Sequence, residues 1–257
     1  MIFNKKNVLW LVKKDKHRFW EIDFLRGVAI IMMIVYHMIF DLNYFEIYKI
    51  NLHSTTLLAF LYPIGTIFLL LVGISLHLSY SRDVKILTKK QLHFKFISRG
   101  IKIFILGLLI TIATRIYLND GFVVFGILHC IGLSIIFAYP FLNFRINTLI
   151  VGTAAIFTGI FLKIFTFDFN WLLWLGFTSS NFYTVDYFPI FPWFGVVLIG
   201  IFIGNTLYPK YQRKFDLRDF SSLKSIGFIC HLGRYSLIIY FLHQPIMIAI
   251  LYLFFLL

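Results

Sequence analysis

Four ionisable side chains stand in one apolar run, DFLRGVAIIMMIVYHMIFDL at residues 23–42: Asp23, Arg26, His37 and Asp41. An ionisable group near the middle of a bilayer costs about 2.5–3.5 kcal/mol on insertion scales, so such groups face a cavity or a partner. In a helix, His37 and Asp41 are one turn apart and share a face, while Asp23 and Arg26 are three residues apart. At a rise of about 1.5 Å per residue, Asp23 and His37 are roughly 21 Å apart along the axis, one polar pair near each membrane surface. An imidazole beside a carboxylate is the chemistry of a general base, because histidine titrates near neutrality and the acid stabilises its charged form. The same groups also suit a proton relay or a buried packing contact. For Asp23 with Arg26, an arginine can snorkel at a helix end, and an acid suits the dipole at a helix start.

The elements that must hold these groups are set by composition. Hydrophobic residues make up 60% of the 257 and charged residues 14%, against about 25% charged in an ordinary soluble domain. With a mean hydropathy of +0.86, the chain is an integral membrane protein. Its segments are continuous apolar runs of helix length rather than the alternating strands of a barrel. The predicted fold is an all-α transmembrane bundle, one domain over 1–257, with 1–22 as a basic tail and interfacial segment. Within that tail, Val8 to Val12 with Trp10 reads as the interfacial stretch. No small-x-small cleavage site follows the first apolar run, which therefore reads as an uncleaved helix. Cys130 falls in a predicted span and Cys230 in a basic loop, so no disulfide between them is expected.

Seven runs are long enough to span, at about 25–42, 57–80, 98–117, 122–142, 146–166, 190–207 and 235–257. Basic residues mark the cytoplasmic side of such spans. Of the 24 lysines and arginines, only Lys49, Arg115 and Lys163 fall on the other side of this arrangement. The N-terminus is thus expected in the cytoplasm and the C-terminus outside. The net charge of +13 is then a topology signal, not a footprint for nucleic acid.

That topology gives each remaining polar residue a depth. His37 lies roughly 7 Å below the outer end of the first span and His129 about 11 Å below the outer end of the fourth. His53 sits in the outer loop between the first two spans. His243, followed by Gln244 and Pro245, lies in the inner half of the last span. His129 and His243 each read equally as core imidazoles with satisfied nitrogens. Gly200 and Gly204 have the spacing that lets helices approach closely. No zinc or di-iron histidine spacing occurs, and no metal is expected.

Four stretches taken together carry a resemblance: EIDFLRGVAIIMMIVYHMIFDL (Glu21 to Leu42), FGILHCIGLS (Phe125 to Ser134), DYFPIFPWFGVVLIGIFIG (Asp186 to Gly204) and GRYSLIIYFLHQPI (Gly233 to Ile246). In this order they resemble the heparan-α-glucosaminide N-acetyltransferase catalytic-domain family, in its short form, within the wider transmembrane acyltransferase superfamily. The resemblance implies a multi-pass acyltransferase of the cell membrane. It would move an acyl group, acetyl above all, from cytosolic acyl-CoA to a sugar amine or hydroxyl presented from the outer side. The family's lysosomal enzyme has its active histidine beyond the helix bearing D-x-x-R-G, and His53 occupies the comparable loop here.

The catalytic set implied is His37, Asp41, His53 and His129, with His37 or His53 as base and Asp41 fixing the tautomer of His37. The donor-binding set is Asp23, Arg26, Lys210, Arg213, Lys214 and His243, in which basic loops hold the phosphates and Asp23 orients Arg26. Direct transfer and an acyl-histidine intermediate both fit. The competing functions are a proton-coupled transporter or channel, and a structural membrane subunit.

Overall fold

The computed structural model of the chain describes residues 18–51, 54–118 and 120–256. His53 and the interfacial stretch around Trp10 lie outside the described residues. The chain divides into two compact units, one formed by residues up to 52 together with those from 218 onward, the other by residues 53–217.

The first unit contains α1 (Trp20–Tyr44), α7 (Lys224–Arg234) and α8 (Ser236–Leu251), which runs on into a π-helical turn at Tyr252–Leu256. Helices α1 and α7 meet backbone to backbone. A Cβ on Gly27 would collide with the Ile229 carbonyl oxygen, and one on Gly233 with the Asp23 carbonyl oxygen. Glycine is required at both places for close approach. Helix α7 occupies what the sequence reading treated as a basic loop. It is amphipathic: Cys230 and Gly233 are buried, while Lys224, Phe228, His231 and Arg234 are exposed. The Cys230 thiol points at the Trp20 carbonyl oxygen, 3.4 Å away. Loss of water contact raises its pKa.

The second unit contains α2 (Thr55–Asp83), α3 (Lys89–Tyr117), α4 (Ile127–Ala138), α5 (Arg145–Leu162) and α6 (Ile190–Leu207). Helix α6 is the centre of this unit, packed against α2 on one side and α5 on the other. Gly73 and Gly200 bring α2 and α6 into main-chain contact, and Gly152 and Gly195 do the same for α5 and α6. Leu69, Ile135, Val197, Leu198 and Ile201 are fully enclosed. The spacing of Gly200 and Gly204 therefore marks a real helix interface. Helix α3 starts nine residues before its predicted span. Thr88 and Gln91 form a reciprocal cap, with the Thr88 N–H donating to Gln91 Oε1 at 2.9 Å and Gln91 N–H to Thr88 Oγ1 at 3.4 Å.

Six helical stretches among the described residues are long and apolar enough to cross a membrane: Trp20–Tyr44, Pro63–Asp83, Lys89–Tyr117, Arg145–Leu162, Ile190–Leu207 and Ser236–Phe255. The remaining expected span, the fourth, at 122–142, is a shorter apolar helix, Ile127–Phe141. The apolar residues before it leave the helix to pair with the segment that enters α6. Val185 donates to the Gly121 carbonyl at 2.9 Å, Phe188 to the Phe125 carbonyl at 2.9 Å, and Thr184 Oγ1 to the Phe122 carbonyl at 2.7 Å. Periodicity alone cannot distinguish an apolar run used this way from a longer helix. The protein is an all-α, multi-pass membrane bundle.

Candidate active site

Unit one gathers two histidines, a carboxylate and an amide. Helix α1 supplies His37 and Asp41, and α8 supplies His243 and Gln244. Gln244 Nε2 donates to Asp41 Oδ1 at 2.7 Å. The rings of His37 and His243 meet edge to face with centroids 4.7 Å apart. Asp41 is only 2% exposed. One reading of the sequence needs amending: Asp41 shares a face with His37, but its hydrogen bond runs across to α8. His37 Nδ1 instead donates to the Met33 carbonyl oxygen at 2.9 Å, one turn earlier on its own helix.

Those bonds fix which nitrogen of each ring is basic. A carbonyl oxygen only accepts, so His37 carries its proton on Nδ1. His243 does likewise, donating from Nδ1 to the Tyr240 carbonyl oxygen at 2.6 Å. Both rings therefore present an unprotonated Nε2. Asp41 Oδ2, His243 Nε2 and Gln244 Oε1 are buried without a hydrogen-bonding partner. Since Gln244 gives its NH₂ to Asp41, its free atom is the carbonyl. All three are acceptors, and each is left for a hydrogen-bond donor.

The opposite end of α1 has the reverse character. Asp23, 5% exposed, accepts from Arg26 Nη1 at 3.0 Å and from Arg234 Nε at 3.2 Å, and Arg18 Nη1 is 3.6 Å away. Three guanidiniums converge on this one carboxylate. Asp23 and Arg26 are thus in contact, and Asp23 also holds Arg234, which the sequence reading counted only among topology charges. The contact of Gly233 with the Asp23 main chain puts the next residue, Arg234, in reach. Trp20, one turn before Asp23 and Phe24, stacks edge-on against Phe24 and Phe220, and its indole nitrogen is buried without a partner.

Unit two holds His129 on the first turn of α4. Its Nδ1 accepts the Gly126 N–H at 3.2 Å and its Nε2 lies 3.4 Å from Thr111 Oγ1. Phe104 and Phe125 pack on the ring, and Gly107 leaves room for it. Both nitrogens are engaged with the protein, the arrangement of a capping residue. Asp186 completes the cap, its Oδ2 accepting the Ile127 N–H at 3.2 Å. Loss of water contact pushes the Asp186 carboxyl up to about 6, with the Ile127 N–H pulling the other way.

Lys210, Arg213 and Lys214 also belong to unit two, on the turn that leaves α6. Lys210 and Tyr211 both have positive φ, 51° and 66°, which is costly for side chains with a Cβ. Arg213 Nη1 donates to the Leu217 carbonyl at 3.1 Å, and its guanidinium lies over the Phe215 ring. At the end of α2, Asp83 pairs with Arg82 at 3.1 Å and with Lys95, and accepts from Ser79 Oγ at 3.2 Å. Among the described residues, no group of three or more His, Cys, Asp or Glu side chains is placed to hold a metal ion.

A multi-pass helical protein with a buried imidazole–carboxylate–amide cluster and a separate arginine cluster has the parts of a membrane group-transfer enzyme. Residues 18–245 match the family model described as heparan-alpha-glucosaminide N-acetyltransferase, catalytic. The chain belongs to that family, which is one of membrane acetyltransferases using acetyl-CoA. No curated protein and no solved structure matches it.

Proposed function

We propose that this protein is a membrane-embedded acyltransferase of the cell membrane, moving an acetyl group from cytosolic acetyl-CoA to an acceptor presented from the outer side. The observation that carries the reading is the set of orphaned acceptors formed by Asp41, His243 and Gln244. A protonated amine offers three N–H donors and a positive charge to that set, and a hydroxyl offers one donor. That polarity supports an amine over a hydroxyl, and the family match supports a sugar amine. His37, with Nε2 free, is the general base for attack on the thioester carbonyl. Asp41 stabilises the charge that develops there, and such catalysis is typically worth 10²–10⁴-fold.

The donor's phosphates belong at the other end of α1, on Arg26 and Arg234 with Asp23 holding both. Lys210, Arg213 and Lys214, in unit two, are further candidates for the donor's phosphates. The positive-inside distribution supports an N-terminus in the cytoplasm and a C-terminus outside, with α4 as the seventh crossing. The family match runs through both units, which supports one catalytic domain. His129 is read as a cap of α4 rather than as a base, and His53 stays a candidate for the outer loop.

The test is acetylation of glucosamine by purified protein in vesicles, with radiolabelled acetyl-CoA supplied from either side. Acetyl transfer in the wild type and its loss in His37→Ala with the fold intact is the expected result. Movement of protons or of the amine in vesicles without any acyl donor would replace this reading with a transporter.

A further inference from the structure

Resting on the acyltransferase reading, we infer that His243 is a second catalytic base that takes the first proton from the acceptor ammonium and leaves His37 to take the next. The sequence reading placed His243 with the donor-binding residues. The geometry sets it beside His37 instead, ring centroids 4.7 Å apart at 79°.

The proton count demands two acts of base catalysis. An ammonium has no lone pair, so one proton must leave nitrogen before it attacks the thioester carbon. The N–C bond then forms, the C–S bond breaks, and a second proton leaves nitrogen. That second proton ends on the departing sulfur. In total, the ammonium and the acetyl thioester become an N-acetyl amide, the free thiol of CoA and one released proton. One imidazole would have to discharge the first proton before accepting the second. Two imidazoles hold both.

The pair is built for this. Each ring is anchored by its Nδ1–H on a main-chain carbonyl, Met33 for His37 and Tyr240 for His243. Each therefore has one basic nitrogen, Nε2, to offer. That of His243 is among the orphaned acceptors that would receive an ammonium, with Asp41 Oδ2 and Gln244 Oε1. His37 packs on His243 from α1, the Tyr240 carbonyl holds it from its own helix, and Gln244, the next residue, holds Asp41 of α1. Arg234, at the end of α7, is held by Asp23.

The experiment compares wild type with His243→Asn, which keeps an N–H for the Tyr240 carbonyl but has no basic nitrogen. With glucosamine at mildly acidic pH, where the acceptor is an ammonium, the variant should lose about 10²-fold in kcat/KM. The deficit should shrink severalfold at alkaline pH, where glucosamine arrives neutral and needs one base only. His243→Gln, which also lacks a basic nitrogen, is the second variant should the first not fold. Neither variant should show the acid-side deficit with methoxyamine, which is neutral there and needs one base only. A deficit constant across pH, or one equally large with methoxyamine, overturns the second base while leaving the acyltransferase intact. A wild type that acetylates neither amine overturns the acyltransferase reading and this step with it.

Discussion

Gln244 gives its amide N–H to Asp41 Oδ1 across 2.7 Å, and that one bond orients both side chains. It leaves the Gln244 carbonyl oxygen and the second Asp41 oxygen both buried without a donor.

Asp41→Asn keeps an amide to pair with Gln244 but removes the charge. A hydrogen bond to a charged group contributes about 1.5–3 kcal/mol, so KM for glucosamine should rise about tenfold to a hundredfold. KM for acetyl-CoA should stay within a factor of two or so. Steady-state kinetics with each substrate varied in turn decides this, and an equal rise for both would remove Asp41 from the acceptor site.

Arg26→Ala and Arg234→Ala should each weaken CoA binding by about tenfold or more, the scale of one charge-assisted contact. Thermal stabilisation of the purified protein by free CoA is the measurement. Arg213, whose guanidinium is already engaged by the Leu217 carbonyl and the Phe215 ring, should show a smaller effect when replaced by alanine. A larger one there would relocate the donor.

Gly233→Ala drives a methyl into the Asp23 carbonyl oxygen. Overpacking of this kind typically costs about 1–3 kcal/mol, visible as a lowered unfolding temperature. Ser225→Ala, at an exposed position on the same helix, should be close to neutral. Because Arg234 adjoins Gly233, the glycine variant should also lose CoA affinity.

Asp186 gives a pH dependence of known sign. Its carboxyl titrates at about 6 in the folded protein against an ordinary value of 3.8, so the folded state holds the proton more tightly than the unfolded chain. Its contribution to stability is full below about 4, declines as pH rises through about 6, and is constant above. Unfolding temperatures measured across this range should show that decline. Asp186→Asn, which cannot ionise, should flatten it, and an unchanged slope would assign the effect elsewhere.

Much of this was legible in the sequence. The helical class, the placing of most spans and the polar positions on α1 follow from run length and from the 3.6-residue period. The family was legible from four ordered segments. What could not be read was partnership between distant segments. Spacing puts His37 beside Asp41, but only the packing of α8 on α1 shows that Asp41 spends one oxygen on Gln244. Arg234 was lost among positive charges because charge sidedness gives every arginine the same meaning. Its signal was Gly233 immediately before it, a residue that admits close approach. Helix α7 was missed because it is short and its apolar positions are interleaved with Lys224, His231 and Arg234. The start of α4 was missed because apolar residues can line a connecting ribbon as readily as a span.

Because the free atoms around Asp41 are all acceptors, the site selects against whole classes of small molecules before shape matters. Amidines and guanidines should jam it, whatever scaffold carries them, and carboxylic acids and sulfonamide anions should be turned away. A drug chemist would begin from a fragment collection filtered on that polarity alone.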